Sequence, residues 1–314
     1  MAQISEFSIV FVAMGISLGH VGNSALGLTT LVGRPPRART RRADGPAHPD
    51  ARLTFAHILS ASALDTLRRI LPGDAAAWEA QLLAQAETDL NALATNLATR
   101  HGCSIDTVLA QGSALATLSE LVETRQIDLL VMGVRGSHFV RELLLGSTTE
   151  RMLCKSHRPL LAVKQRPQTP YRRMLAPVDF SAHAAAAVNA AHAWLPDADI
   201  VLLHAFEVEL ESTFRLAGME DDRIHAFRIQ ARNAAQEVMN AFIDSLQVPA
   251  HRLTREFVHG PATLHILEHE QAMDADLIVM GKHGQSVMEE LLLGSITKHV
   301  LTHSSSDVFI AGQP

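Results

Sequence analysis

Two stretches of the chain share a glycine spacing that is suited to binding a ligand. Each has two glycines separated by two residues, then nine residues, then Gly-Ser, and the copies lie 148 residues apart. Each follows an apolar run that predicts a buried strand. Glycine has no side chain to collide with a ligand and tolerates positive φ, so the turn can pass close to a bound molecule. The repeated residues are Gly133, Gly136, Gly146 and Ser147 in the first copy, and Gly281, Gly284, Gly294 and Ser295 in the second.

The Gly-Ser that closes each copy predicts the start of a helix. The first N–H groups of a helix have no carbonyl partner, and together with the helix dipole they suit an anion. The hydroxyls of Ser295 and Thr297 would add donors. The spacing differs from GxGxxG and from GxxxxGK[ST], so neither a dinucleotide-binding fingerprint nor a P-loop is indicated. The pattern therefore predicts a phosphate-binding site of another type, present twice.

Other kinds of chemistry find little support in the sequence. The 17 histidines form no HExxH and no His/Cys cluster, and no nucleophile elbow or pair of catalytic carboxylates emerges. We therefore predict no metal ligand and no catalytic residue. Arg135, Lys282 and Lys298 could neutralise phosphate, although charges on exposed loops are more often solvated. His283 lies inside the second motif, where we expect a surface-loop role.

The second half of the chain alternates predicted strands and helices, which indicates a parallel sheet covered on both faces. A short strand from Arg173 ends in a turn capped by Ser181. One helix is predicted from the 3 and 4 spacing of Phe227, Ala231, Ala234, Val238 and Ala241. The other predicted strands are Ile200–His204, Arg252–Val258, Leu277–Met280 and Val308–Ala311, and the other helices are Ala182–Trp194, Thr263–Gln271 and Ser295–Thr302.

The first half repeats most of this order. The interval Gly112–Gly133 matches Gly260–Gly281, and a matching amphipathic helix carries Leu83, Ala86, Leu90, Leu93 and Leu97. The correspondence fails near the N-terminus, where Asp179 aligns with Val32 and the next helix aligns with a run holding two prolines and five arginines, residues 34–42. The first strand–helix unit is therefore absent or rebuilt.

Two explanations of this region remain open. Phe7–Met14 could form a replacement first strand, joined to the rest by a long basic loop. Alternatively, about fifty N-terminal residues could reflect an altered reading frame or a wrong start, because the composition changes abruptly at Pro49.

Length and composition agree with two soluble domains. The chain has 314 residues, of which 47% are hydrophobic and 19% charged, and we divide it at residues 1–168 and 169–314. A net charge of −6 makes nucleic acid an unexpected partner. The two cysteines, Cys103 and Cys154, form no CxxC pair, which favours a reducing compartment. The apolar stretch Ile9–Val32 is interrupted by polar residues and glycines, so we expect a cytoplasmic protein without a membrane role.

With both motifs in similarly ordered repeats, the chain resembles a tandem universal stress protein of the ATP-binding subtype. The resemblance covers residues 49–314. It implies two doubly wound domains, Rossmann-like and similar to adenine nucleotide alpha hydrolases, each with a five-stranded parallel sheet. It also implies that Asp179 faces the adenine, that His204 and Ala205 line the base pocket, and that the motif residues hold ribose and phosphate.

The resemblance implies a complete site in the second domain and a weaker one in the first. No acidic residue stands in the first domain where Asp179 should have its counterpart, so we expect that site to be weakened or empty while its phosphate half survives. The second site comprises Pro177, Val178, Asp179, His204, Ala205, Met280, Gly281, Lys282, His283, Gly284, Gly294, Ser295, Ile296 and Thr297. The first comprises Met132, Gly133, Val134, Arg135, Gly136, Gly146, Ser147, Thr148 and Thr149.

The function implied is that of a regulatory or stress-survival protein that binds ATP or another adenine nucleotide, with or without Mg²⁺. Slow ATP hydrolysis or nucleotidyl transfer is one alternative, and a scaffold that acts without nucleotide is another. The resemblance further implies a homodimer or an intramolecular pseudo-dimer, paired through the terminal strands Leu160–Val163 and Val308–Ala311.

Overall fold

The computed structural model describes residues 28–33, 52–61, 65, 68–69, 75–101, 104–134, 147–164, 170–284 and 293–312. The chain divides into two compact units between Pro170 and Tyr171. No helix in these ranges is both long enough and apolar enough to cross a bilayer.

The first unit contains five strands and three helices in its described part. The strands are β1 (Leu28–Gly33), β2 (Arg52–Ser60), β3 (Ile105–Gly112), β4 (Ile127–Gly133) and β5 (Leu160–Val163). The helices are α1 (Ala75–His101), α2 (Ala114–Thr124) and α3 (Ser147–Lys155). The strand order in the sheet is β3-β2-β1-β4-β5.

The central strand β1 departs from the predicted parallel sheet. It pairs antiparallel with both β2 and β4, whereas β2 with β3 and β4 with β5 pair in parallel. Strand β1 is not the replacement strand that was predicted at Phe7–Met14. That segment lies outside the described residues. Because the strand is reversed, its last residue, Gly33, lies beside Arg52 and Ile127 at the amino ends of β2 and β4.

The second unit has the predicted parallel sheet. Its strands are β6 (Arg173–Pro177), β7 (Asp199–Phe206), β8 (Leu253–His259), β9 (Leu277–Gly281) and β10 (Asp307–Ala311), in the order β10-β9-β6-β7-β8 with every neighbouring pair parallel. Its helices are α4 (Ala182–Trp194), α5 (Glu211–Leu216), α6 (Asp221–Asp244), α7 (Ala262–Ala272) and α8 (Ser295–His303), with a 3₁₀ turn at Ala250–Arg252. Helix α4 has the predicted bounds, and α5 was not predicted.

Helix α6 buries a different face from the one predicted. The residues that enter the core are Ile224, Ala235, Met239 and Phe242. Of the predicted stripe, Phe227 and Val238 are 39% and 48% exposed. Both sets of residues have the 3 and 4 spacing of a helix face, so periodicity could not choose between them. The set that contains Met239 and the aromatic ring of Phe242 fills the core.

Candidate functional site

The turn after β6 places a carboxylate at the end of the central strand. The backbone N–H of Ser181 donates to Asp179 Oδ1 at 3.0 Å, and Ser181 Oγ in turn accepts from the N–H of Ala184 at 3.1 Å. Asp179 is therefore held by the same turn that caps α4. Between them, Phe180 has φ of 65°, a left-handed conformation that is costly for a residue with a large side chain.

His204, near the end of β7, is fixed by two contacts. Its Nδ1 lies 2.8 Å from the carbonyl oxygen of Val178, and because a carbonyl can only accept, Nδ1 carries the proton of this bond. Its ring stacks on Phe180 with the centroids 4.2 Å apart. The bond and the stack join the ends of β6 and β7 into one rigid wall.

Two glycines of the motif allow close approaches around Asp179. A Cβ on Gly281 would lie 3.1 Å from the backbone carbon of His183, so the end of β9 reaches the first turn of α4 only without a side chain. A Cβ on Gly284 would lie 3.0 Å from Asp179 Oδ2. The motif glycines thus bring the turn after β9 against the carboxylate and the start of α4.

The start of α8 is tied to the same turn. The N–H of Gly294 donates to the carbonyl of Lys282 at 3.1 Å, and the N–H of Lys282 donates to the carbonyl of Ala311 at 2.9 Å. Thr297 Oγ1 donates to the carbonyl of Gly281 at 3.1 Å. The Thr297 hydroxyl was predicted to be a donor to phosphate, but its single proton is engaged by Gly281, so this residue positions the helix. Gly294 supplies no side-chain cap to the helix N-terminus.

These elements enclose a cavity of about 420 Å³ at the carboxyl ends of β6, β7 and β9. In a doubly wound sheet the strand order reverses between β6 and β9, and ligand sites form at that point. The volume falls in the range of about 300–1,000 Å³ that small-molecule sites occupy. Every residue predicted for the second site lines the cavity except Lys282, and four residues that were not predicted join them: Ala184, Leu203, Ala262 and Ile266.

Lys282 and His283 differ from their expected surroundings. The side chain of Lys282 is only 8% exposed, and a Cβ on Gly312 would lie 3.7 Å from its Cδ, so it lies against the end of β10. His283 is 7% exposed, and its ring meets the ring of His183 edge to face at 5.5 Å. The expected surface-loop role of His283 is therefore wrong, because the short turn folds its ring inward.

The four unpredicted lining residues are small or apolar, and nothing in their residue types identifies them in the sequence as site residues. A different signal was available for α7, which contributes Ala262 and Ile266. Gly260, just before this helix, has φ of 122°, and Gly112 at the equivalent place in the first unit has φ of 127°. Gly112 and Gly260 are the first residues of the two matching intervals found in the sequence. Glycine stands at both places because the backbone there requires a positive φ.

The first unit has the same two hydrogen bonds that hold the motif in the second unit. Thr149 Oγ1 donates to the carbonyl of Gly133 at 2.9 Å, and the N–H of Val134 donates to the carbonyl of Val163 at 3.0 Å, as their counterparts do in the second unit. Met132, Val134 and Thr149 are buried, Thr148 is half-buried, and Ser147 begins α3. Arg135, Gly136 and Gly146 lie outside the described residues.

The reversed strand directs the described end of β1 away from the motif of the first unit. A residue that follows β6 emerges at the carboxyl edge of the sheet, where the motif lies. Gly33, the last residue of β1, lies beside Ile127, at the opposite edge. The end of β1 therefore offers no counterpart of Asp179 beside Gly133, within the part of this unit that the structure describes.

The fold and the cavity define a doubly wound α/β protein whose second unit has a small-molecule cavity at the switch point of the sheet. The universal stress protein family model matches residues 38–164 and again residues 170–312. The chain therefore belongs to the universal stress protein family, with two copies of its domain.

Individual relatives agree with this assignment. The universal stress protein Rv1996 of Mycobacterium tuberculosis is 25% identical over 216 residues, which are 65% of this chain and 64% of that protein, so this chain spans less than two thirds of that relative's length. MJ0577 of Methanocaldococcus jannaschii, also a universal stress protein, is 27% identical over 153 residues, 45% of this chain and 94% of that protein. A crystal structure of a universal stress protein from Archaeoglobus fulgidus shares the fold, with a TM-score of 0.57, 20% identity, and coverage of 82% of this chain and 86% of that one.

Proposed function

We propose that the second unit binds an adenine nucleotide in the cavity beside Asp179 and that the protein acts as a nucleotide-dependent regulatory protein. The observation that carries the proposal is the convergence of one carboxylate, the end of an uncapped helix and apolar walls on one cavity of about 420 Å³. A nucleotide has the matching parts: a flat base, a sugar and an anionic tail. The family to which the chain belongs is consistent with a role in stress survival.

The base would lie at the end of the cavity formed by the turn after β6, by β7 and by α7. Leu203, Ala262 and Ile266 offer apolar surface for a flat ring. Asp179 Oδ1 already accepts from Ser181, and a carboxylate can accept further bonds, so it can receive an amino or hydroxyl proton of the ligand.

The phosphates would lie at the end formed by the turn after β9 and by the start of α8. The first residues of this nine-residue helix line the cavity next to Gly294, and no side chain caps the helix, so its first N–H groups can donate to an anion. Gly284 leaves room beside Asp179 that a Cβ would fill, which keeps the passage between the two ends open. The residues present therefore fit a nucleotide.

No protein-held metal is part of this proposal. Within the ranges that the structure describes, no group of three or more His, Cys, Asp or Glu side chains is arranged to hold a metal ion. A magnesium ion that accompanied the nucleotide would be bound mainly by the phosphate oxygens, as is usual for this ion.

Regulation requires that the ligand favour one of two arrangements of the protein. The turn that carries Asp179 also carries Phe180. The ring centroid of Phe180 lies 4.2 Å from that of His204, which lines the cavity, and 5.7 Å from that of Phe242 on α6. A ligand on Asp179 could thus alter the strained backbone of Phe180 and the packing of α6. This route offers a physical link between the cavity and the outer surface of the unit.

The test is calorimetric titration of the full chain with ATP, ADP, AMP and GTP, comparing Asp179→Asn with the parent. We expect adenine nucleotides to bind, and Asp179→Asn to weaken binding by roughly 10- to 100-fold, since a hydrogen bond to a charged group contributes about 1.5–3 kcal/mol. Asp222→Asn, on the exposed first turn of α6, makes the same chemical change away from the cavity and should leave binding unchanged. The proposal would be rejected if none of the four nucleotides bound.

A further inference from the structure

Helix α6 carries an apolar stripe that its own unit leaves largely exposed. We call Phe227, Ala231, Ala234, Val238 and Ala241 the outer stripe. Their spacings of 4, 3, 4 and 3 residues place them in one row along the helix, as in helices that pair with another helix. Phe227 is 39% exposed, Val238 is 48% exposed, and Ala234 and Ala241 are exposed as well.

The residues of α6 that enter the core of the unit are not those of the outer stripe. Ile224, Ala235, Met239 and Phe242, on the face of α6 that meets the sheet, are buried. The apolar row of α6 therefore has another role.

We propose that the outer stripe pairs with the outer stripe of a second copy of this chain, the two helices running antiparallel about a twofold axis at Ala234. Phe227 of each chain then faces the partner's Ala241. Ala231 faces the partner's Val238, and the two Ala234 residues face each other. Each large side chain meets a small one, which keeps the helices at an even separation, whereas parallel pairing would oppose Phe227 to the partner's Phe227 and leave gaps at the alanines.

Charges at the two ends of α6 favour the same arrangement. Arg223 and Asp244 are both exposed, and neither forms an ion pair with another described residue. In the antiparallel pair Arg223 faces the partner's Asp244, and the twofold axis repeats this contact. Parallel helices would instead place like charges together, so the charge pattern selects the antiparallel orientation.

The surface beside α6 is self-complementary in the same orientation. At the amino end of α6, Leu216 of α5 is 90% exposed, and Phe214 packs on Phe227 with the ring centroids 5.9 Å apart. Glu211 fastens α5 to α6, because Arg228 Nε donates to its carboxylate at 3.1 Å; this hydrogen bond is the main reason that the pKa of Glu211 is lowered.

At the carboxyl end of α6 lies an open groove of about 640 Å³. Its lining residues come from the turn after β6, from α4 and from α6, and most of them are small: Phe180, Ser181, Ala182, Ala185, Ala186, Asn189, Phe242 and Ser245. Antiparallel pairing brings the protruding Leu216 of each chain towards this groove of the other. The added contact matters because one helix row alone buries little of the roughly 800 Å² per partner that a stable interface requires.

Sedimentation velocity of the full chain without nucleotide tests the proposal. We expect a dimer, and we expect Val238→Glu to weaken it by about a hundredfold or more, because the change places two charges in an apolar interface. Gln236→Glu, which adds the same charge on the exposed opposite side of α6, should leave the dimer intact. Circular dichroism would verify that both variants remain folded.

A charge exchange supplies the second arm. Arg223→Glu should weaken the dimer, because the introduced carboxylate would face the partner's Asp244. The double variant Arg223→Glu, Asp244→Arg should restore the dimer. A monomeric parent chain would overturn the proposal, as would a dimer that Val238→Glu leaves unchanged, which would mean that the chains pair through another surface. Restoration by the double variant would establish the antiparallel contact, and failure to restore would reject that orientation.

Discussion

Tyr171 is the one tyrosine in the sequence, and it joins the start of the second unit to its last strand. Its hydroxyl donates to the carboxylate of Asp307, which is 6% exposed. Burial of the phenol, reinforced by the negative charge of Asp307, raises the pKa of Tyr171 well above its ordinary value. We therefore expect the ultraviolet absorbance of tyrosinate to appear in native protein only far above the pH of about 10 at which an unfolded tyrosine ionises.

The same shift predicts how stability changes in alkali. The folded state retains the proton above pH 10 while the unfolded state loses it, so the contribution of Tyr171 is complete below about pH 10 and declines as pH rises towards the folded pKa. Tyr171→Phe should remove both the tyrosinate signal and this part of the alkaline destabilisation. Ionisation near pH 10 in protein that is still folded would contradict the buried bond to Asp307.

The sequence showed which residues of the motif would come together more reliably than it showed what each would do. Spacing located Gly281, Gly284 and Thr297 at one cavity because the order of strand, turn and helix fixes which chain ends meet. It could not show that the missing side chain of Gly281 makes room for α4, or that Thr297 binds a backbone carbonyl. Those roles depend on which neighbour lies opposite, and that neighbour comes from distant parts of the chain.

At the scale of elements, both units use a threonine to hold the motif helix to the preceding strand. Thr297 donates to Gly281 and Thr149 to Gly133, and both threonines are 4% exposed. Replacing either by valine keeps the shape but leaves a buried carbonyl without its donor, so we expect each variant to lose about 1–3 kcal/mol of unfolding free energy. Thr302→Val, which removes an exposed bond to Lys298 on the same helix as Thr297, should cost less than about 0.5 kcal/mol.

The two tryptophans allow each unit to be followed separately. Trp78 lies on α1 and Trp194 on α4, one in each unit. Denaturation of Thr297→Val in a Trp78→Phe background reports on the second unit, and Thr149→Val in a Trp194→Phe background reports on the first. Loss of stability only in the unit that carries the substitution is the expected result. No loss in either unit would mean that these bonds contribute nothing to holding the helices.

Elements were predictable where a strong local pattern had only one structural solution. Helix α4 begins after Ser181 and ends at Trp194 as predicted, because its cap and its alanine-rich sequence agree. For α6 the sequence offered two apolar rows, and only the packing of Met239 and Phe242 decided which one faces the core. The direction of β1 was not predictable, because its pairing with β2 and β4 is a long-range property that the six residues of the strand do not encode.

At the scale of the whole molecule, we expect the two units to have unequal sites and each chain to bind one adenine nucleotide. The second unit has Asp179 after a parallel central strand, whereas β1 in the first unit directs its end to the opposite edge of the sheet. The hydrogen bond from Thr149 to Gly133 is present there, but a site without an acceptor for the ligand would lose about 1.5–3 kcal/mol of binding free energy and bind roughly 10- to 100-fold more weakly.

Native mass spectrometry at nucleotide concentrations just above the tighter dissociation constant should therefore detect single occupancy of each chain. Asp179→Asn should abolish that occupancy under the same conditions, while Asp222→Asn should retain it. Two equivalent nucleotides per chain, or one that persists in Asp179→Asn, would show that the first unit binds nucleotide without an acid at this position, and the inequality deduced from the reversed strand would be wrong.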